Sequence, residues 1–148
     1  MGAGYQARQY QSELTMTTSS KRKSIHIPGF VHKNPIPNAS LVGNLLMSGS
    51  IIGNDPVTGK IAPTLEEQCA LVFRYMREIV AAAGGTTDDI IKIHVWLNDL
   101  GNRAPLNAEW IKMFPDEHSR PARHAIQSHF EGGKLLECDV IAVIGARG

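Results

Sequence analysis

The sequence predicts an α+β domain, and three observations carry that prediction. Residues 64–83 repeat apolar side chains at helical spacing behind a capping signal. Residues 135–144 alternate apolar with polar groups, as a strand covered on one face does. Further short strands surround two helical stretches in the order ββαβαββ, which fits a mixed sheet with two helices on one face.

Taken in order, residues 1–24 are rich in Gln, Ser, Thr and Gly and lack apolar periodicity. Burial cannot offset the entropy of ordering them, so they are expected to be a disordered tail ahead of a domain over 25–148. Asn34-Pro35-Ile36-Pro37-Asn38 reads as a stiffened loop, because each proline pushes its predecessor into extended backbone. Residues 40–46 and 48–52 read as two short strands, followed by turn chemistry at Asn54-Asp55-Pro56 and Thr58-Gly59.

The helix over 64–83 opens on the capping box Thr64-x-x-Glu67. Leu65, Cys69, Val72, Met76, Ile79, Val80 and Ala83 recur along it, and Gly84-Gly85 ends it. In the strand over 91–97, Ile91, Ile93, Val95 and Leu97 share one face, with Lys92, His94 and Trp96 on the other. A second helix over 103–114 tolerates Pro105 in its first turn and buries a stripe of Leu106, Trp110, Met113 and Phe114. The strand over 123–128 sets Arg123, Ala125 and Gln127 against His124, Ile126 and Ser128. The last sets Leu136, Cys138, Val140, Ala142 and Ile144 against Glu137, Asp139, Ile141 and Val143. With the helices covering one face only, the mixture of apolar and charged groups on the other predicts that a second copy covers it.

The 148 residues, 43% hydrophobic and 20% charged, suit a single globular domain. No apolar stretch approaches the roughly 20 residues a transmembrane helix needs, so a soluble chain with no membrane partner is expected. The net charge of +1 conceals an asymmetry: four bases against one acid give the first 23 residues +3, and the remaining eleven bases and thirteen acids leave −2. A mildly acidic domain offers phosphates no basic face, so no nucleic-acid partner is expected. Cys69 and Cys138 sit in apolar patterns without ligand spacing and read as free thiols of a reducing, cytoplasmic setting. His26, His32, His94, His118 and His129 show no metal-binding spacing, so no metal is expected, and no phosphate loop of the G-x-x-x-x-G-K type occurs.

Two residues stand out against the apolar pattern. Arg123, opening a strand in Arg120-Pro121-Ala122-Arg123-His124, reads plainly as a surface ion-pairing group, but Glu137 is its charged counterpart on the terminal strand. An arginine fork binds a carboxylate bidentately, and a carboxylate a few ångströms away can deprotonate water, which together suit hydrolysis of a small acid.

At these residues the chain resembles the RidA/YjgF family, also called the L-PSP endoribonuclease-like family. The matching stretches include Gly43-Asn44-Leu45-Leu46, Ser48-Gly49, Asp55-Pro56-Val57-Thr58-Gly59, Glu67-Gln68, Leu106-Asn107-Ala108, Pro121-Ala122-Arg123 and Glu137-Cys138-Asp139-Val140, within residues 34–144. The resemblance implies a chorismate-mutase-like fold and a homotrimer with clefts between subunits. It also implies an enamine/imine deaminase needing no cofactor, which converts small carboxylate-bearing imines to 2-keto acids and ammonia. Arg123 would grip the substrate carboxylate and Glu137 activate water. Asn107 and Ser48 match cleft positions, while the family's cleft tyrosine and cysteine fall on Ile36 and Ala125, making the pocket more apolar. Two other readings compete: a non-catalytic trimer that binds a carboxylate metabolite, and, more remotely, RNA cleavage.

Overall fold

The computed structural model describes residues 21–145. Six strands form one sheet in the order β1-β2-β3-β6-β4-β5, with β4 and β5 parallel and the other neighbours antiparallel. The strands are β1 (Arg22–Ile25), β2 (Ala39–Val42), β3 (Leu45–Ser48), β4 (Ile90–Leu97), β5 (Ala122–Gln127) and β6 (Leu136–Val143). Two helices, α1 (Leu65–Ala82) and α2 (Ala104–Met113), pack on one face. This is the expected chorismate-mutase-like α+β architecture with one strand more than predicted.

That extra strand is β1, whose residues 22–24 belong to the stretch expected to be a disordered tail; residues 1–20 lie outside the described residues. Only Ile25 of β1 is buried, so a strand at the sheet edge has almost no apolar signature. The boundary of the next two strands also shifts. The stretch 40–46, expected as one strand, is a hairpin in which Val42 pairs with Leu45 across Gly43-Asn44. Gly43 takes φ +59°, the left-handed backbone that a tight hairpin turn requires. Of residues 48–52, expected as a strand, Ser48 ends β3 and the rest contribute only an isolated pairing between Ile51 and Cys138.

The helix α1 forms as its sequence dictates. Thr64 Oγ1 accepts from the Glu67 amide at 3.2 Å and Glu67 Oε2 accepts from the Thr64 amide at 3.2 Å, closing the capping box. Val72, Phe73, Met76, Ile79 and Val80 are fully buried against β4 and β6, each such side chain contributing roughly 1.5–3 kcal/mol. In α2, Leu106, Trp110, Met113 and the following Phe114 are buried, as the stripe predicts. One expected core residue is not: a bulge between Ile90 and Lys92 turns Ile91 outward, and Ile90 takes its place in the core.

The two sheet faces differ. Ile93, Val95, Leu97, Leu136, Cys138, Val140 and Ala142 lie under the helices. Among the described residues the opposite face has no helix, and it exposes Val42, Leu45 and Met47 at about half of their surface, beside the ionisable groups His94, His124, Glu137 and Asp139. No helix among the described residues is long and apolar enough to cross a membrane.

Candidate active site

Arg123 follows from its register. It pairs with Ile93, which faces the helices, so the guanidinium leaves the sheet edge on the helix side. There it lies over the Trp110 ring, 4.7 Å from the centroid. Its Nη1 is buried and has no hydrogen-bond partner among the described residues. Burial, and secondarily the like charge of Arg103, pull its pKa below the usual arginine range, so the cation sits in an environment that disfavours it. Asn107 is exposed on α2 one turn before Trp110, and Ala125 is half-buried two residues along β5 on the same side as Arg123. A partly desolvated guanidinium on an indole with an unsatisfied N–H has the chemistry to bind an anion.

Glu137 occupies the other side. It pairs with Trp96 on the helix-free face, and lines a cleft of about 700 Å³ together with His32, Ile36, Ile52, Asn54 and Val57. Lys134 Nζ donates to Glu137 Oε1 at 2.5 Å and lies 5.1 Å from the Phe130 ring centroid. Ile36, in the proline-stiffened loop, leaves about half of its surface on the cleft rim, and Val57 opposite is almost fully exposed. His32 Nε2 is buried with no hydrogen-bond partner among the described residues, and burial holds the histidine's pKa below its ordinary value.

The candidates therefore fall into two groups that one chain does not unite. The expectation of a few ångströms between Arg123 and Glu137 fails within the chain, because register sends them to opposite faces of the sheet. Arg123, Asn107 and Ala125 form one group; Glu137 and Ile36 form the other. Ser48 stands apart: its hydroxyl donates to the Gly49 carbonyl at 2.8 Å and accepts from the Val140 amide at 2.9 Å, which fastens the end of β3 to β6. His124 lies beside His94 on the helix-free face, where His94 Nδ1 meets Asp139 Oδ1 at 2.6 Å.

Sequence reasoning missed Lys134 and gave Gln68 no role beyond its place in the Glu67-Gln68 match. Gln68 is fully buried in α1, donating to Ala62 O at 2.8 Å and Gly133 O at 3.0 Å and accepting from Leu135 N at 2.9 Å. It thus brackets Lys134 on both sides. Gly53 is what allows this approach, since a Cβ there would fall 2.5 Å from Gln68 Cα. A polar residue inside an otherwise apolar helical face was the available signal.

Comparison with known proteins agrees with this architecture. Residues 35–144 match the sequence model of a family described as Endoribonuclease L-PSP. A RutC family protein of Pyrococcus abyssi is 33% identical over 110 residues, 73% of this chain and 85% of the relative. The 2-iminobutanoate/2-iminopropanoate deaminase of Salmonella typhimurium is 29% identical over 104 residues, covering 69% and 81%. Among solved structures, RidA from the Antarctic bacterium Psychrobacter aligns with a TM-score of 0.76 at 29% identity, over 82% of this chain and 99% of that one. Escherichia coli TdcF with bound serine aligns at 0.72 and 28%, over 82% and 98%. Matched along most of its described length in both sequence and fold, this chain belongs to the RidA/YjgF family.

Proposed function

We propose that the protein is an enamine/imine deaminase that hydrolyses small carboxylate-bearing imines to 2-keto acids and ammonia, in clefts between the subunits of a homotrimer. The observation that carries this reading is the buried Nη1 of Arg123, which has no partner among the described residues and suits a carboxylate brought by a ligand. The exposed apolar residues of the helix-free face support assembly, and assembly is what would set Arg123 of one subunit opposite Glu137 of the next.

In such a cleft Arg123 holds the substrate carboxylate in a bidentate grip, with Asn107 beside it. Glu137 takes a proton from water as the water oxygen bonds to the carbon of the protonated imine, giving a neutral carbinolamine. The same carboxyl returns that proton to nitrogen, the C–N bond breaks with its electrons on departing ammonia, and the freed carboxylate takes the hydroxyl proton, leaving the 2-keto acid. The reaction is a redox-neutral hydrolysis. Ile36 and Ala125, where the family has tyrosine and cysteine, make the pocket walls apolar and suit a substrate bulkier or more hydrophobic than 2-aminoacrylate. The deaminase activity in the name of the Salmonella relative supports the reaction class.

The test couples the protein to a pyridoxal-dependent lyase that generates enamines and follows keto-acid formation. Faster formation with the protein than without it is expected. No acceleration, combined with 2-oxobutanoate binding in a thermal-shift assay, selects the alternative of a non-catalytic metabolite-binding protein, which the replaced tyrosine and cysteine favour.

A further inference from the structure

Arg123 and Glu137 carry opposite charges, and the proposed function, on which this inference rests, places them across one cleft. Left to themselves, two such groups would pair with each other and close the site to a carboxylate. The chain contains a group that opposes this. Lys134 Nζ holds Glu137 Oε1 at 2.5 Å, and both side chains are about three-quarters buried. The lysine is itself fixed: Phe130 lies against its ammonium, and Gln68 bonds the backbone at Gly133 and Leu135 on either side of it. The other charged groups of the cleft are Lys33 and Asp55, with His32 nearby, and Asp139 further along β6 is engaged by His94.

We propose that Lys134 is a positioning residue that occupies one oxygen of Glu137 and so keeps the neighbouring subunit's arginine free for the substrate carboxylate. The second carboxylate oxygen, Oε2, remains for the water. With Glu137 compensated, the positive charge of Arg123, with Arg103 near it, stays available to an incoming carboxylate. An uncompensated Glu137 would both compete for Arg123 and repel the incoming anion.

Calorimetric titration of the full-length protein with 2-oxobutanoate tests this, with thermal unfolding to confirm that each variant is folded. Lys134→Gln is expected to weaken binding about tenfold, and Lys134→Arg to stay within about threefold of the unmodified protein. The double variant Lys134→Gln/Glu137→Gln is expected to regain most of the lost affinity, because the competing carboxylate is gone; a merely structural lysine would show no such recovery. Binding by Lys134→Gln within about twofold of the unmodified protein, or a double variant as weak as the single one, overturns the inference and leaves the proposed function standing. Absence of 2-oxobutanoate binding by the unmodified protein overturns both.

Discussion

The two faces of the sheet obey different rules. Under the helices the side chains are apolar, and Arg123 reaches that side only at the edge strand β5, over Trp110. On the helix-free face apolar and ionisable groups alternate, and Glu137 lies there beside a cleft rimmed by Ile36 and Val57. One face is finished by its own chain; the other has the composition of a surface that another copy completes. The comparison teaches that the candidate acid and the candidate clamp belong to different layers of one subunit, so the proposed cooperation between them requires an assembly.

The most severe way to break that picture is to disable each face separately. Glu137→Gln is expected to lower kcat/KM for imine hydrolysis by about 10²–10⁴-fold, the usual range for loss of a general base. Arg123→Ala should cost about a hundredfold, close to 3 kcal/mol, for a lost charge-assisted carboxylate contact. Unfolding the two inactive proteins together and refolding them should then restore about a quarter of the activity, because random mixing leaves one cleft in four with both residues intact. A site contained within one subunit would restore none, and an absence of recovery in verified mixed trimers removes the inter-subunit cleft.

Met47→Glu attacks the helix-free face directly by placing a charge beside Leu45 and Ile141. Sedimentation is expected to show a smaller species with helical content intact and activity lost together with assembly. Retained assembly would mean that this face is not the interface. Gln68→Leu tests the bracket under the Glu137 side: it leaves Ala62 O, Gly133 O and Leu135 N without their partner and should lower stability by about 3 kcal/mol in chemical denaturation. The smallest effect is expected from Thr64→Ala, about 1 kcal/mol through loss of the α1 cap, with activity unchanged.

Much of the fold was legible because the signals were local. The Thr64–Glu67 box, the stripe of α1 and the alternation of β6 each lie within one element, and each appears where its residues place it. The hairpin at Gly43-Asn44 was missed although Gly-Asn is a two-residue turn signal, because the apolar run on both sides disguised it as one strand. The edge strand β1 was not legible: Arg22-Lys23-Ser24 has the composition of a tail, and only backbone pairing to β2 makes it a strand. The bulge that exposes Ile91 likewise depends on the partner strand, which the pattern of β4 alone does not contain.

The sequence by itself determined the element types, the helix limits and the two charged residues that interrupt apolar strands, because capping, periodicity and polarity act over a few neighbouring positions. Only the tertiary structure decided that Arg123 and Glu137 leave the sheet on opposite sides, that Ser48 is tied into the end of a strand, and that Lys134 reaches Glu137 from a loop pinned by Gln68. The physical reason is register. Strand pairing sets which face each side chain takes, and that pairing joins positions as far apart as β3 and β6, whose hydrogen bonds no local pattern encodes.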